Sequence, residues 1–182
     1  MLEKLPRGLG IVIIDMQNSF FPGITREKKD SMVAAQLEIL DSAARNNFPA
    51  ILIEYTGFSQ TLPEITKAFA NVPRRSVMAK HYTNGFFATQ LHNILDSWDI
   101  ECMALMGISA KVCVKETARG TPEGISYLTT ETTMADPIMA ESMGQHMPSR
   151  NHLYLDTIDW YQRNGLVCLE NHGRLLELME QK

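Results

Sequence analysis

Cysteine is scarce in this sequence: three residues in 182, with no CxxC pair among them and no HxxxH pair of histidines. An odd, unpaired set fits a reducing compartment rather than a disulfide framework, and the missing ligand pairs argue against a structural zinc site. Long apolar runs are also missing. None approaches the ~20 residues that span a bilayer, and MLEKLPRGLG passes into IVIID without the apolar segment and cleavage site of a signal peptide. There is no basic tract, and the net charge is -4. Neither nucleic acid nor a membrane is therefore an expected partner, and the expected location is the cytoplasm.

What is present suits a globular chain, with 45% hydrophobic and 21% charged residues. A chain of 182 residues can bury a core without staples, and no linker, repeat or low-complexity block divides it, so residues 1–182 are expected to form one domain. Short apolar runs alternate with amphipathic ones. Strands are expected at GIVIID (10–15), AILIEY (50–55), RRSVMAK (74–80), ECMALMG (101–107), ISYLTT (125–130) and LVCLE (166–170). Helices are expected at 25–46, near 63–70, along the stripe Phe87, Leu91, Ile94, Leu95 and Trp98, from Cys113 to about Arg119, over 148–163, and at the C-terminus. Strand–helix alternation predicts an α/β fold: three layers, with a six-stranded parallel sheet and helices on both faces.

In open parallel sheets, sites form beyond the carboxyl ends of the strands. Asp15 ends the first expected strand, Lys80 ends the third, and Cys113 lies just past the fourth. A free thiol has a pKa of about 8.5, and a helix N-terminus and a lysine both favour its thiolate. A carboxylate in reach can take its proton, and the turn at GIS (107–109) could aim N–H groups at an oxyanion. Each residue also has a structural explanation. Cysteine is commonly a small core residue, Asp15 could cap a loop, and Lys80 could be solvated. Cys102 and Cys168 sit in apolar strand patterns and take that reading. Residue pattern by itself leaves both readings open.

Three longer segments add to the pattern: DMQNSFFPG (15–23), MAKHYTNGFFATQL (78–91) and GISAKVCVKETARG (107–120), followed by TTETTMADP (129–137). In this order they resemble the signature segments of the isochorismatase-like cysteine hydrolases. The resemblance implies a Rossmann-like six-stranded parallel sheet and a catalytic triad of Asp15, Lys80 and Cys113. It also implies a cis peptide at Ile108–Ser109, with the backbone amides of Ser109 and Cys113 binding the oxyanion. Ile108, Ser109 and Phe20 are the expected oxyanion- and substrate-binding positions.

Departures from the family narrow the activity. Nicotinamidases of this family carry an Asp-x-His metal motif after the second strand. Here the region reads EYTGFSQTLPE (54–64), with Glu54 and Glu64 but no histidine or aspartate. His81 by itself cannot complete a site, so no metal and no cofactor is expected. Isochorismatases proper lack the nucleophilic cysteine that stands here at 113. The expected activity is cysteine-dependent hydrolysis of a small amide or related C–N bond through a thioester, on a small-molecule substrate. The alternatives are hydrolysis of another bond, such as an ether or ester of a small carboxylate, or a silent binding or scaffold member. Phe86 and Phe87 are further candidates for an apolar pocket wall. A homo-oligomer is expected, with contacts at Phe20–Phe21 and the segment 138–163.

Overall fold

The computed structural model describes residues 4–136, 150–165 and 167–181, without the side chains of 150–155 and 168. Its strands are β1 (Leu9–Ile14), β2 (Ala50–Tyr55), β3 (Arg75–Lys80), β4 (Cys102–Ile108), β5 (Ser126–Ala135) and β6 (Val167–Leu169). They form one sheet in the order β3-β2-β1-β4-β5-β6, and every neighbouring pair is parallel. The helices are α1 (Arg26–Asn46), α2 (Pro63–Phe69), α3 (Leu91–Ser97), α4 (Lys115–Arg119), α5 (Arg150–Asn164) and α6 (His172–Glu180). The expected six-stranded parallel α/β architecture is the one observed.

The layers follow from strand alternation, in which successive side chains point to opposite faces. Ile11 and Ile13 of β1, Leu52 of β2 and Ala104 and Met106 of β4 join one core with Met32, Ile39 and Leu40 of α1, Ile65 and Phe69 of α2, and Leu175 and Met179 of α6. Val12 and Ile14, Ile51 and Ile53, and Met103 and Leu105 face the other way, onto Leu91 and Leu95 of α3, Ala118 of α4, and Ile158 and Tyr161 of α5. Central strands covered on both faces must be apolar throughout, and β1 and β4 are buried at every position. Local signals set the ends of the elements. Thr25 caps α1 by accepting the Lys28 N–H at 3.2 Å, Asn47 closes that helix at φ 58°, and Pro63 opens α2.

Two sequence expectations are corrected. Phe87 lies outside α3 and is exposed, because its turn of chain folds around Asn84 instead of joining the helix. β5 does not stop at Thr130 but continues to Ala135. Its pairing with β4 jumps from Leu105↔Thr129 to Gly107↔Met134, so residues 130–133 form a bulge. The polar run TTETT disguised this strand. Thr130 and Thr133 are buried and bond to each other, and buried Gln36 of α1 donates to the Thr133 carbonyl at 2.9 Å. The bulge extends β5 far enough to carry Asp136 to the carboxyl edge of β4.

Candidate active site

Three strand ends meet at this edge. Asp15 follows β1 in the left-handed region, at φ 54°, and its N–H donates to the Ile53 carbonyl at 2.9 Å. Beside it, Gly107 has φ 133°, and a Cβ there would stand 2.0 Å from the Ile14 carbonyl oxygen. Only glycine lets β1 and β4 approach so closely beneath the site. Lys80 is the last residue of β3. Cys113 lies in a π-helical turn, Ala110–Val114, that leads into α4.

Lys80 Nζ lies 2.7 Å from Asp15 Oδ2, with the two side chains 0% and 1% exposed. The ammonium also donates to the Tyr82 carbonyl at 3.2 Å and sits 4.4 Å from the centre of the Tyr55 ring. Asp15 and Lys80 both act electrostatically on the Cys113 side chain. The Lys80 contact to Asp15 lacks the alignment of a full hydrogen bond, so both carboxylate oxygens keep accepting capacity. Burial raises the Asp15 pKa, and Lys80 and Cys113 only partly oppose it. The Cys113 thiol is pushed up to about 11, first by burial and next by the Asp15 carboxylate, against the pull of Lys80. The expected pull of the lysine toward thiolate is present, and burial and Asp15 work against it. In the ligand-free site, desolvation and Asp15 outweigh the lysine and favour the thiol form.

The peptide Ile108–Ser109 is cis. The Ile108 side chain is buried in the core, so that residue meets the site through its backbone. The Ser109 carbonyl accepts the N–H groups of Val112 and Val114, each at 3.1 Å, which ties the π turn to the end of β4. Thr117 Oγ1 donates to the Cys113 carbonyl at 2.7 Å and accepts the Gly85 N–H at 2.9 Å. Asp136 Oδ1 accepts both the Ser109 hydroxyl and, at 3.0 Å, the Lys111 N–H. The Tyr161 hydroxyl donates to the Ala110 carbonyl.

Sequence reasoning gave no role to Asp136, Tyr161, Tyr55 or Gln17. Asp136 and Gln17 lie inside quoted motifs, TTETTMADP and DMQ, which was the available signal. Tyr161 and Tyr55 follow helix and strand patterns and carry none. Buried Gln17 donates to the Tyr55 and Ser59 carbonyls and accepts the Tyr55 N–H at 2.7 Å, so it staples the loop after β2. That loop stacks Phe58 on Phe20 with ring centres 4.7 Å apart, and Tyr55 lies 6.4 Å from Phe20. Tyr82 and Phe87 form a second aromatic pair at 4.7 Å. Phe86 is half-buried against the core on the α3 side. Phe21, expected at an oligomer contact, is instead buried in the chain's own core, where the long α1 helix covers it. The part of the other expected contact at 138–149 lies outside the described residues.

Glu54, the carboxylate nearest the nicotinamidase metal motif in sequence, accepts the Thr61 hydroxyl at 2.6 Å and the Thr61 N–H at 3.1 Å. A loop without histidine whose carboxylate is held this way does not fit such a metal. Among the described residues no three His, Cys, Asp or Glu side chains converge as a metal-binding group. His172 binds Thr132 and Glu38 and is structural. Two surface clefts, of about 400 Å³ and about 730 Å³, are lined by residues around Arg7 and Trp98 and around Tyr127 and Trp160. Neither touches Asp15, Lys80 or Cys113.

Residues 10–122 match the family described as Isochorismatase domain. The chain belongs to the isochorismatase family. It resembles an isochorismatase from Pseudomonas putida KT2440 at 19% identity, covering 92% of this chain and 89% of that one, with a TM-score of 0.76. It also resembles N-carbamoylsarcosine amidase from Thermoplasma acidophilum, at 18% identity, 90% and 96% coverage and a TM-score of 0.68. For the nicotinamidase of Staphylococcus aureus the identity is 12%, the coverage 90% and 98%, and the TM-score 0.74. At such identities the likeness is one of fold. No curated protein matches the sequence. The chain is thus an isochorismatase-family hydrolase, and none of its described helices is long and apolar enough to cross a membrane.

Proposed function

We propose that the chain hydrolyses a small amide or related C–N bond through a thioester on Cys113. The observation that carries this reading is the buried cluster itself: a 2.7 Å Lys80–Asp15 ion pair whose two charges both act on the Cys113 thiol. A resting thiol beside a carboxylate of raised pKa is suited to direct proton transfer once substrate excludes water.

The steps balance as follows. Asp15 takes the thiol proton while sulfur attacks the carbonyl carbon, and the carbonyl π pair moves to oxygen. The backbone N–H groups of Ser109 and Cys113 bind that oxyanion. Collapse re-forms the carbonyl and breaks the C–N bond, and the leaving amine takes the proton from Asp15. Water then attacks the thioester, giving one proton to Asp15. The second collapse releases the acid, and Asp15 returns the proton to sulfur. Lys80 keeps its charge throughout and balances Asp15 or the thiolate in turn. Two of the similar folds act on C–N bonds by name, an amidase and a nicotinamidase, and so favour this bond class.

The test is a screen of small amides, ureido compounds and nitriles with wild type and Cys113→Ala. Wild-type turnover with a trapped acyl-Cys113, absent from the variant, is expected. Undiminished turnover by Cys113→Ala would overturn the proposal.

A further inference from the structure

Ser109 at the cis peptide, and Ala110 and Lys111 at the start of the π turn, are each held from outside their own segment. Asp136 Oδ1 accepts from Ser109 Oγ and from the Lys111 N–H, and the Tyr161 hydroxyl holds the Ala110 carbonyl. Asp136 reaches this loop because the bulge at 130–133 shifts the end of β5 along β4. Any displacement of Ser109 passes directly to the nucleophile's turn, since the Ser109 carbonyl anchors the N–H groups of Val112 and Val114. Lys28 of α1 lies close enough to interact electrostatically with Asp136.

We propose that Asp136 is a positioning residue that sets the direction of the oxyanion-binding amides through its paired contacts with Ser109 and Lys111. The inference rests on the proposed function, in which those amides bind the oxyanion. Asp136 itself touches no reacting atom. Its carboxylate accepts two donors from the loop that carries both amides and so holds that loop in place, which keeps an oxyanion site ready before charge develops. Removing it should therefore impair only reactions of Cys113 that place negative charge on a carbonyl oxygen.

Two probes separate these cases. Iodoacetamide alkylates sulfur directly: the S–C bond forms, the C–I bond breaks, iodide leaves and the thiol proton is lost to the medium. No oxyanion arises. Benzaldehyde adds reversibly to the thiol: the S–C bond forms, the carbonyl π pair moves to oxygen, and the thiol proton ends on that oxygen. The adduct's oxygen stands where the oxyanion forms and accepts from the same amides, so its affinity, read from protection of Cys113 against iodoacetamide, reports their placement.

In Asp136→Ala, benzaldehyde protection should weaken by at least about tenfold while the alkylation rate stays within about threefold of wild type. Asp136→Asn keeps an oxygen that can accept from both donors and should stay near wild type with both probes. Unchanged protection in Asp136→Ala would overturn the inference, as would an equal loss with both probes. If Asp136→Ala fails to fold, Ser109→Ala removes one of the two tethers, and wild-type protection in that variant would overturn it instead. A wild-type Cys113 that reacts with neither probe would defeat the proposed function and this inference with it. Normal wild-type reactivity with an unaffected Asp136→Ala would defeat the positioning role only.

Discussion

Lys80 Nζ and Asp15 Oδ2 stand 2.7 Å apart with both side chains closed off from solvent. Removing one partner of such a pair leaves the other charge buried and uncompensated, which costs about 3–5 kcal/mol. Lys80→Met should lose stability on that scale in urea unfolding near pH 7. Part of the loss should return as the pH falls, because Asp15 then becomes neutral. Asp15→Asn combined with Lys80→Met should be markedly more stable than Lys80→Met. Equal stability of the single and double variants would show that the isolated carboxylate is not the source of the cost.

Asp15 raises the Cys113 pKa and Lys80 lowers it. In Asp15→Asn the thiol should therefore titrate below the value of about 11 that it has beside the carboxylate. Iodoacetamide should modify Cys113 faster at pH 8 than in wild type, while amide hydrolysis falls by at least about 100-fold for want of the proton acceptor. A variant both more reactive toward alkylation and inactive in hydrolysis is the signature. An unchanged alkylation profile would mean that burial by itself sets this pKa.

Gly107 is a steric requirement of the site. Any Cβ there would lie 2.0 Å from the Ile14 carbonyl oxygen, on backbone that cannot swing aside, and at a φ of 133° that L side chains avoid. Gly107→Ala should cost more than about 3 kcal/mol in denaturant unfolding. Any folded fraction should show slower Cys113 alkylation, because β1 and β4 would part beneath Asp15. A destabilisation within about 0.5 kcal/mol, the range of ordinary surface changes, would refute the close-approach argument.

Cys102 is buried in β4, and its thiol is raised to about 11, chiefly by desolvation. A folded pKa above the unfolded one means the native state binds more protons between the two values. Taking 9.0 as the ordinary value for an exposed thiol, the stabilisation is fully present below it and is lost as pH rises toward about 11. The full loss attributable to Cys102 is about 3 kcal/mol, two pKa units at about 1.4 kcal/mol each. Urea midpoints measured from pH 8.5 to 11 should fall less steeply for Cys102→Ala than for wild type. Parallel curves would remove Cys102 from the alkaline transition.

Much of the fold was legible because burial on two faces leaves a local trace. GIVIID, AILIEY and ECMALMG are apolar without alternation, and all three became strands within one residue of their expected limits. Strand β5 was cut short for the complementary reason. Its threonines are buried by bonding to one another and to Gln36, and the order of residues alone does not reveal such pairing. The positions of Asp15, Lys80 and Cys113 at strand ends were likewise readable, because each follows a run whose end is visible in the sequence.

What the residues determined by themselves was the inventory: parallel strands, a carboxylate, an ammonium and a thiol at one edge, and a glycine at the end of the fourth strand. What only the tertiary structure decided was the balance among them. Whether Lys80 or Asp15 dominates the Cys113 proton depends on burial and distance, and both come from chain segments that are remote in sequence and meet only when the sheet forms. The hold of Asp136 on Ser109 and Lys111 depends on a four-residue bulge in β5. No local pattern encodes that reach, because it is set by how β5 pairs with β4.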